Sequence, residues 1–311
     1  MEELADRGAL RVSFSVHTDS GGAFASAVEV SLDAPDVEAA HRAPQTCKED
    51  LSDALAGLDP TDQGGIDMLL GRLDGTEDKS DFGRAVFLGT SMAMARAGAH
   101  AADRSLHAYL ADLSRSETLR VPLPIFAGVL GERLSLLPFG DATFADACAT
   151  IDKVRTGVAH HGGAFIAGVE QDLDAAMDVL KKLGLLGHSA LGLHGIGAAA
   201  SDQAELFNRY PIALYYQPFE TGRGQDVSDW TQLTELVGDS AQVCAAQPFN
   251  HNLDAMRFTV NSRVANTIVI DMYRLSTVTE ALDAIETVRT AGCEVVAAQH
   301  EAATADPDFV A

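Results

Sequence analysis

Side chains that could bind a metal or transfer protons lie near the ends of several predicted strands. Five of them are histidines, namely His160, His161, His194, His251 and His300. Imidazole binds zinc and similar ions, so one interpretation is a histidine metal site. Only one of His160 and His161 could take part, because adjacent side chains on a strand point to opposite faces. The other interpretation, which we favour, is ordinary polar or buried histidines.

A carboxylate also follows a predicted strand: Asp271 comes directly after the apolar run Ile268–Ile270. It could form a salt bridge with Arg274, or it could serve as an acid or base. We favour the salt bridge. Arg133 could contribute to an anion site, although a surface charge is the simpler interpretation.

Hydrophobic periodicity indicates a first domain that ends near Arg120. Leu10–Val16 and Ala25–Leu32 have the composition of strands and flank the turn residues Gly21 and Gly22, so a hairpin is predicted. One helix is predicted around residues 66–73, and another runs from about residue 81 to residue 110. We therefore predict an α+β domain over residues 1–120.

From Val121 onward, short apolar runs alternate with amphipathic helices, which is typical of βα units around a parallel sheet. Strands are predicted at residues 190–193, 211–216, 243–246, 267–271 and 294–298, and helices at 202–209, 228–237, 252–264 and 277–291. Thr277 and Glu280 have the spacing of a capping box. This region is shorter than the roughly 200 to 250 residues of a full eight-fold barrel. We predict an α/β fold with an incomplete or distorted (β/α) barrel over residues 121–311.

Composition excludes several classes of partner. The formal net charge is −23 and is spread along the chain, which disfavours binding to nucleic acid or an anionic membrane. Lysine is scarce, and such an acidic surface is typical of proteins that work in concentrated intracellular salt. We therefore expect a halophilic protein. We also expect it to be cytoplasmic, because no signal peptide or membrane span is recognisable. The four cysteines lack the paired spacing of a zinc site or a disulfide framework.

Three ordered segments resemble the enolase (phosphopyruvate hydratase) family. The first contains Asp62-Gln63, Ile66-Asp67, Leu73–Thr76, Lys79-Ser80, Gly83, Leu88–Ser91 and Ala95–Ala97. The second contains Tyr210–Ile212, Trp230, Leu233-Thr234, Val237–Asp239 and Gln242-Val243. The third contains Val264–Ile270, Thr277–Glu280, Ala284-Ile285 and Ala291-Gly292. The resemblance implies an N-terminal capping domain followed by an enolase-type barrel.

The resemblance also indicates which residues now stand at the catalytic positions. Enolases use a lysine base, and magnesium held by carboxylates stabilises the enolate. The base position falls on Asp271, and no lysine follows Lys182. The metal-ligand positions fall on Gly197, Tyr216, Ala246 and Gln247, and the remaining catalytic positions on Arg133, His161, Gln299, His300 and Glu301. A hard dication needs several anionic oxygens, so we expect that Mg²⁺ is not retained and that no other cofactor is bound.

The sequence is compatible with three functions. The favoured one is an enolase-like protein that has lost catalysis and acts as a binding or regulatory subunit. It would be a homodimer, or a heterodimer with a full-length enolase, because enolases dimerise through the capping domain. The alternative is an enzyme of another reaction type that uses Asp271, His161 and His300. Residual phosphopyruvate hydratase activity, a lyase reaction, is the least favoured.

Overall fold

The computed structural model describes residues 2–5, 9–115, 125–127, 164–167, 190–194, 199–219 and 227–298, with the single positions 173, 174, 177 and 181. The chain divides into two compact units. The first comprises Met1–Leu119, Ile270–Thr287 and Ala297–Ala311, and the second comprises Arg120–Val269 and Val288–Val296. The expected domain boundary near Arg120 stays a prediction.

An antiparallel sheet of three strands begins the first unit. Its strands are β1 (Glu2–Ala5), β2 (Ala9–His17) and β3 (Ala23–Ser31), in that order across the sheet. Alternate residues of β2 are buried, and its partner β3 contributes Val28 and Val30 to the same core. The predicted hairpin is therefore confirmed.

Helices make up much of the rest of the first unit's described residues. They are α1 (Val37–Thr46), a π-helical turn (Cys47–Leu51), α2 (Ser52–Leu55), α3 (Gln63–Asp74), α4 (Arg84–Ala101), α5 (Leu106–Leu113), α9 (Met272–Leu275) and the first part of α10 (Val278–Thr290). Helix α4 is buried along most of its length and packs against β2 and β3. Gly89 lets the ring of Phe14 approach the helix, since an added Cβ would lie 2.0 Å from that ring.

The prediction of one helix from residue 81 to residue 110 is wrong, because the segment contains two helices. Asp103 adopts a left-handed conformation, with φ of 52°, just after α4. The N–H of Arg104 then donates to the carbonyl of Ala99 at 2.9 Å, which closes the helix end. Glycine usually marks such an end, and an aspartate there gave no comparable signal in the sequence.

The described part of the second unit is built around a sheet whose strands follow one another in chain order. The strands are β4 (Ile125–Ala127), β5 (Ala164–Ala167), β6 (Ala190–His194), β7 (Ile212–Tyr216), β8 (Gln242–Ala245), β9 (Thr267–Asp271) and β10 (Glu294–Ala298). Neighbours from β4 to β9 are parallel. This order is that of successive βα units in a barrel, whereas a doubly wound sheet reverses its order at a switch point.

Amphipathic helices separate the later strands of this sheet. They are α6 (Ala200–Arg209), α7 (Val227–Val237) and α8 (Leu253–Asn261). Each buries one face, which in α7 consists of Trp230, Leu233 and Val237. In the part of the chain that the structure describes, no helix is long and apolar enough to cross a bilayer.

Candidate functional site

The carboxyl ends of β7 and β8 bring three sequence-predicted positions to one edge of the sheet. Tyr216 is the last residue of β7 and pairs in register with Cys244 of β8. Ala246 and Gln247 follow directly after β8. Because the two strands are parallel, their carboxyl ends lie side by side at the edge where such sheets carry their binding sites. The structure therefore groups Tyr216, Ala246 and Gln247 at one edge of the sheet, and their assignment as metal-ligand positions stays a prediction.

Gln217, which sequence reasoning did not select, joins these two strand ends. Its side-chain Oε1 accepts a hydrogen bond from the N–H of Ala246 at 3.0 Å. Its Nε2 donates to the carbonyl of Gln247 at 2.7 Å and to that of Phe219 at 3.3 Å. Its own N–H donates to the carbonyl of Cys244 at 3.0 Å. The only signal in the sequence was a polar residue next to Tyr216.

An aromatic cluster supports the segments that carry Gln217 and Gln247. Trp230 of α7 is fully buried, with its ring 5.4 Å from that of Phe219 and 5.1 Å from that of Phe249. Phe219 follows β7 and Phe249 follows β8, so a single helix residue holds both segments. Aromatic pairs of this geometry contribute about 0.5–1.5 kcal/mol beyond the area they bury.

Asn250 and His251 lie a few residues beyond the end of β8. Asn250 is 2% exposed and donates through Nδ2 to the carbonyl of Val269 at 2.8 Å, while its Oδ1 has no partner among the described residues. His251 is exposed, and its Nδ1 lies within hydrogen-bonding distance of the carbonyl of Pro248. This contact makes His251 part of the local turn.

Asp271 is the last residue of β9 and belongs to the first unit. One carboxylate oxygen accepts a hydrogen bond from the N–H of Tyr273 at 3.0 Å, which caps α9. The other lies 3.1 Å from Nε of Arg274. The residue is only 6% exposed, so both oxygens are engaged in a nearly buried setting. The predicted salt bridge between Asp271 and Arg274 is confirmed.

Tyr273 extends this arrangement towards α1. Its hydroxyl donates to the carboxylate of Asp36 at 2.5 Å. Burial, reinforced by the hydrogen bond to Asp36, raises the pKa of Tyr273 far above its usual range. The phenol is therefore a fixed donor in the first unit and remains protonated at neutral pH.

Two family comparisons agree with this architecture. Residues 4–110 match the enolase N-terminal domain, and residues 198–311 match the enolase C-terminal TIM barrel domain. The chain belongs to the enolase family. The predicted α/β class, with a capping domain followed by a barrel-type domain, is thereby confirmed.

Enolase-family membership implies a magnesium site, and the described donors do not fit one. The positions at the ends of β7 and β8 offer a phenol, a methyl group and a carboxamide, and the backbone carbonyl of Gln247 already accepts from Gln217. Magnesium prefers carboxylates and water in an octahedral arrangement. Among the described residues, no group of three His, Cys, Asp or Glu side chains could hold a metal ion.

Several predicted positions fall outside the residues that the structure describes. They are Arg133, His161, Gly197, Gln299, His300 and Glu301, together with His160. His194 ends β6, but only its backbone is described. The assignments of these residues, and the choice between a histidine metal site and ordinary histidines, stay predictions.

Proposed function

We propose that this enolase-family protein does not dehydrate 2-phosphoglycerate and acts instead as a binding or regulatory subunit. The observation that carries the proposal is the state of Asp271. The family places its lysine base at this position, and here a carboxylate caps α9 and pairs with Arg274. A general base must be free to reach the proton that it removes, and both oxygens of Asp271 are already engaged.

The donor chemistry at the strand ends supports the same proposal. Removing a proton from the carbon beside a carboxylate creates a second negative charge, which must be stabilised as it develops. In enolases magnesium supplies that stabilisation. Tyr216, Ala246 and Gln247 provide no carboxylate to hold it. We propose that Mg²⁺ is not a cofactor of this chain.

A direct assay tests the loss of activity. The purified chain is incubated with 2-phosphoglycerate in millimolar magnesium and molar potassium chloride, with a full-length enolase as the positive control. We expect no phosphoenolpyruvate above the rate in buffer. Turnover that elutes with the 32.8 kDa chain through successive columns, away from host enolase, would contradict the proposal.

The subunit role needs a separate experiment. The tagged chain is co-expressed with a full-length enolase of the same source, and the purified material is examined for a mixed complex. A stable complex that changes the turnover of the full-length partner is the expected result. Recovery of the chain alone, with a stoichiometric metal ion found by elemental analysis, would instead favour an enzyme of another reaction type.

A further inference from the structure

The Gln217 side chain spans the two strand ends at which this family places metal ligands. Its carboxamide is complementary to the end of β8, because its oxygen faces an N–H of Ala246 and its NH₂ group faces the carbonyl of Gln247. A carboxylate in the same position would direct an anionic oxygen at that carbonyl. The environment therefore matches a neutral amide and disfavours the anionic ligand of a metal site.

The backbone at Gln217 shows how strongly the position is constrained. Gln217 has a φ of 47°, in the left-handed region that residues other than glycine and asparagine seldom occupy. Such a conformation persists only where surrounding interactions fix it. Here the backbone N–H and both polar atoms of the side chain bond to the segment 244–247 or to Phe219.

We propose that the Gln217 carboxamide joins the carboxyl ends of β7 and β8 in the place where the family uses a metal ion. These strand ends are consequently held together without a divalent cation. Gln217 is thus a positioning residue for the loop after β8, whatever that edge of the sheet binds. The inference does not depend on the proposed loss of turnover.

Thermal unfolding with and without magnesium tests the inference. The variants are Gln217→Ala, Gln217→Met and Gln217→Glu, and the matched controls are Gln232→Ala and Gln232→Glu on the exposed face of α7. We expect the Tm of the unaltered protein to be the same in millimolar magnesium and in EDTA. Gln217→Ala and Gln217→Met should lower it by roughly 3 to 8 °C, because the N–H of Ala246 and the carbonyl of Gln247 lose their partners and the left-handed backbone at position 217 loses the bonds that fix it. The Gln232 variants should change it little.

The Gln217→Glu variant adds a readout that a loss of packing would not produce. At neutral pH its carboxylate faces the carbonyl of Gln247, so the pKa of the new carboxyl should be raised in the folded state. If the pKa of this carboxyl is raised by folding, the variant keeps its full stability below the unfolded-state pKa of about 4.3. It then loses stability as the pH rises through the folded-state pKa. The Tm difference from the unaltered protein should therefore shrink as the pH falls, whereas Gln232→Glu should show no such trend.

Two outcomes would overturn the inference. They are a rise in the Tm of the unaltered protein on adding magnesium, and equal Tm values for Gln217→Ala and Gln232→Ala. Because unfolding does not measure turnover, each of these outcomes leaves the test of the proposed function separate. Likewise, phosphoenolpyruvate formation in the activity assay would not by itself decide how the strand ends are joined.

Discussion

The carboxylate of Asp67 accepts two hydrogen bonds from Thr279, one from its backbone N–H at 3.0 Å and one from its hydroxyl at 2.7 Å. Its other oxygen accepts from Nε2 of Gln63 at 3.0 Å. The hydroxyl of Ser91 accepts from the N–H of Val278 at 3.0 Å. The first and third segments that resemble enolases therefore contact each other within the first unit. The match of these segments to the family therefore has a structural explanation, because Asp67 and Ser91 hold the first residues of α10 in place.

The contact between Asp67 and Thr279 predicts a stability effect. Replacing Asp67 by Asn leaves an NH₂ group facing one of the present donors. We expect Asp67→Asn to lower the free energy of unfolding by about 1–3 kcal/mol, measured by urea denaturation. The exposed Asp33 provides the control, and Asp33→Asn should change stability within about 0.5 kcal/mol. Equal effects of the two variants would show that the Asp67 contacts are not stabilising.

The sequence predicted elements well wherever local signals were strong. The strand at residues 267–271 is apolar and β-branched, and its observed bounds agree with the prediction. The capping box formed only in part: Thr277 accepts from the N–H of Glu280 at 3.1 Å, while the Glu280 carboxylate accepts from Lys79. That second contact joins residues 201 positions apart, so no local pattern could reveal it.

The site was predicted less completely, because several of its contacts also join residues that are far apart in the chain. Family resemblance selected Tyr216, Ala246 and Gln247 because each ends or follows a recognisable strand. It did not indicate that Gln217 bonds across the strand ends, because those bonds depend on register and on a left-handed backbone. The salt bridge of Asp271 could be predicted, since its partner Arg274 is three residues away.

The ion pair of Asp271 can be compared with a matched exposed pair. Asp254 and Arg257 have the same i,i+3 spacing, but their side chains are 90% and 55% exposed, against 8% for Asp271 and 33% for Arg274. Asparagine can still cap a helix, so Asp→Asn chiefly removes the ion pair. We expect Asp271→Asn to cost about 1–3 kcal/mol and Asp254→Asn about 0.5 kcal/mol or less, by urea denaturation. The reverse order would argue against a structural role for Asp271.

Titration of the Cys47 thiol should lower the stability of the folded protein in alkaline solution. Burial raises the pKa of Cys47 to about 11. Because its folded pKa lies above the unfolded value of about 8.5, the contribution of Cys47 is complete below that value and is lost as pH rises towards 11. Urea denaturation of the unaltered protein and of Cys47→Ala at several pH values should show a shallower alkaline decline in the variant. Tyr273, whose pKa is also raised, is present in both proteins, so its titration contributes equally to both declines. Parallel declines would contradict the assignment.

Exposed apolar side chains indicate where this protein could associate with another chain. Met68 on α3 of the first unit is 60% exposed, and Phe258 on α8 of the second unit is 51% exposed. Exposed apolar groups of this size are candidates for contact with another chain. The family resemblance implies dimerisation through the capping domain, so we expect the first of these surfaces to be used.

Sedimentation in molar potassium chloride tests this expectation. Salt at this concentration screens the repulsion expected between chains that each carry a formal charge of −23. The expected mass is near twice 32.8 kDa, or that of a mixed complex when a full-length enolase is co-expressed. Met68→Glu should shift the protein towards a monomer because it places a charge at the predicted interface, whereas Phe258→Glu should leave the mass unchanged. Dissociation by Phe258→Glu alone would move the interface to the second unit. If the chain is monomeric both alone and when co-expressed with a full-length enolase, the prediction of a dimer is wrong. The family-like residues of the first domain would then be explained by their contacts with the start of α10.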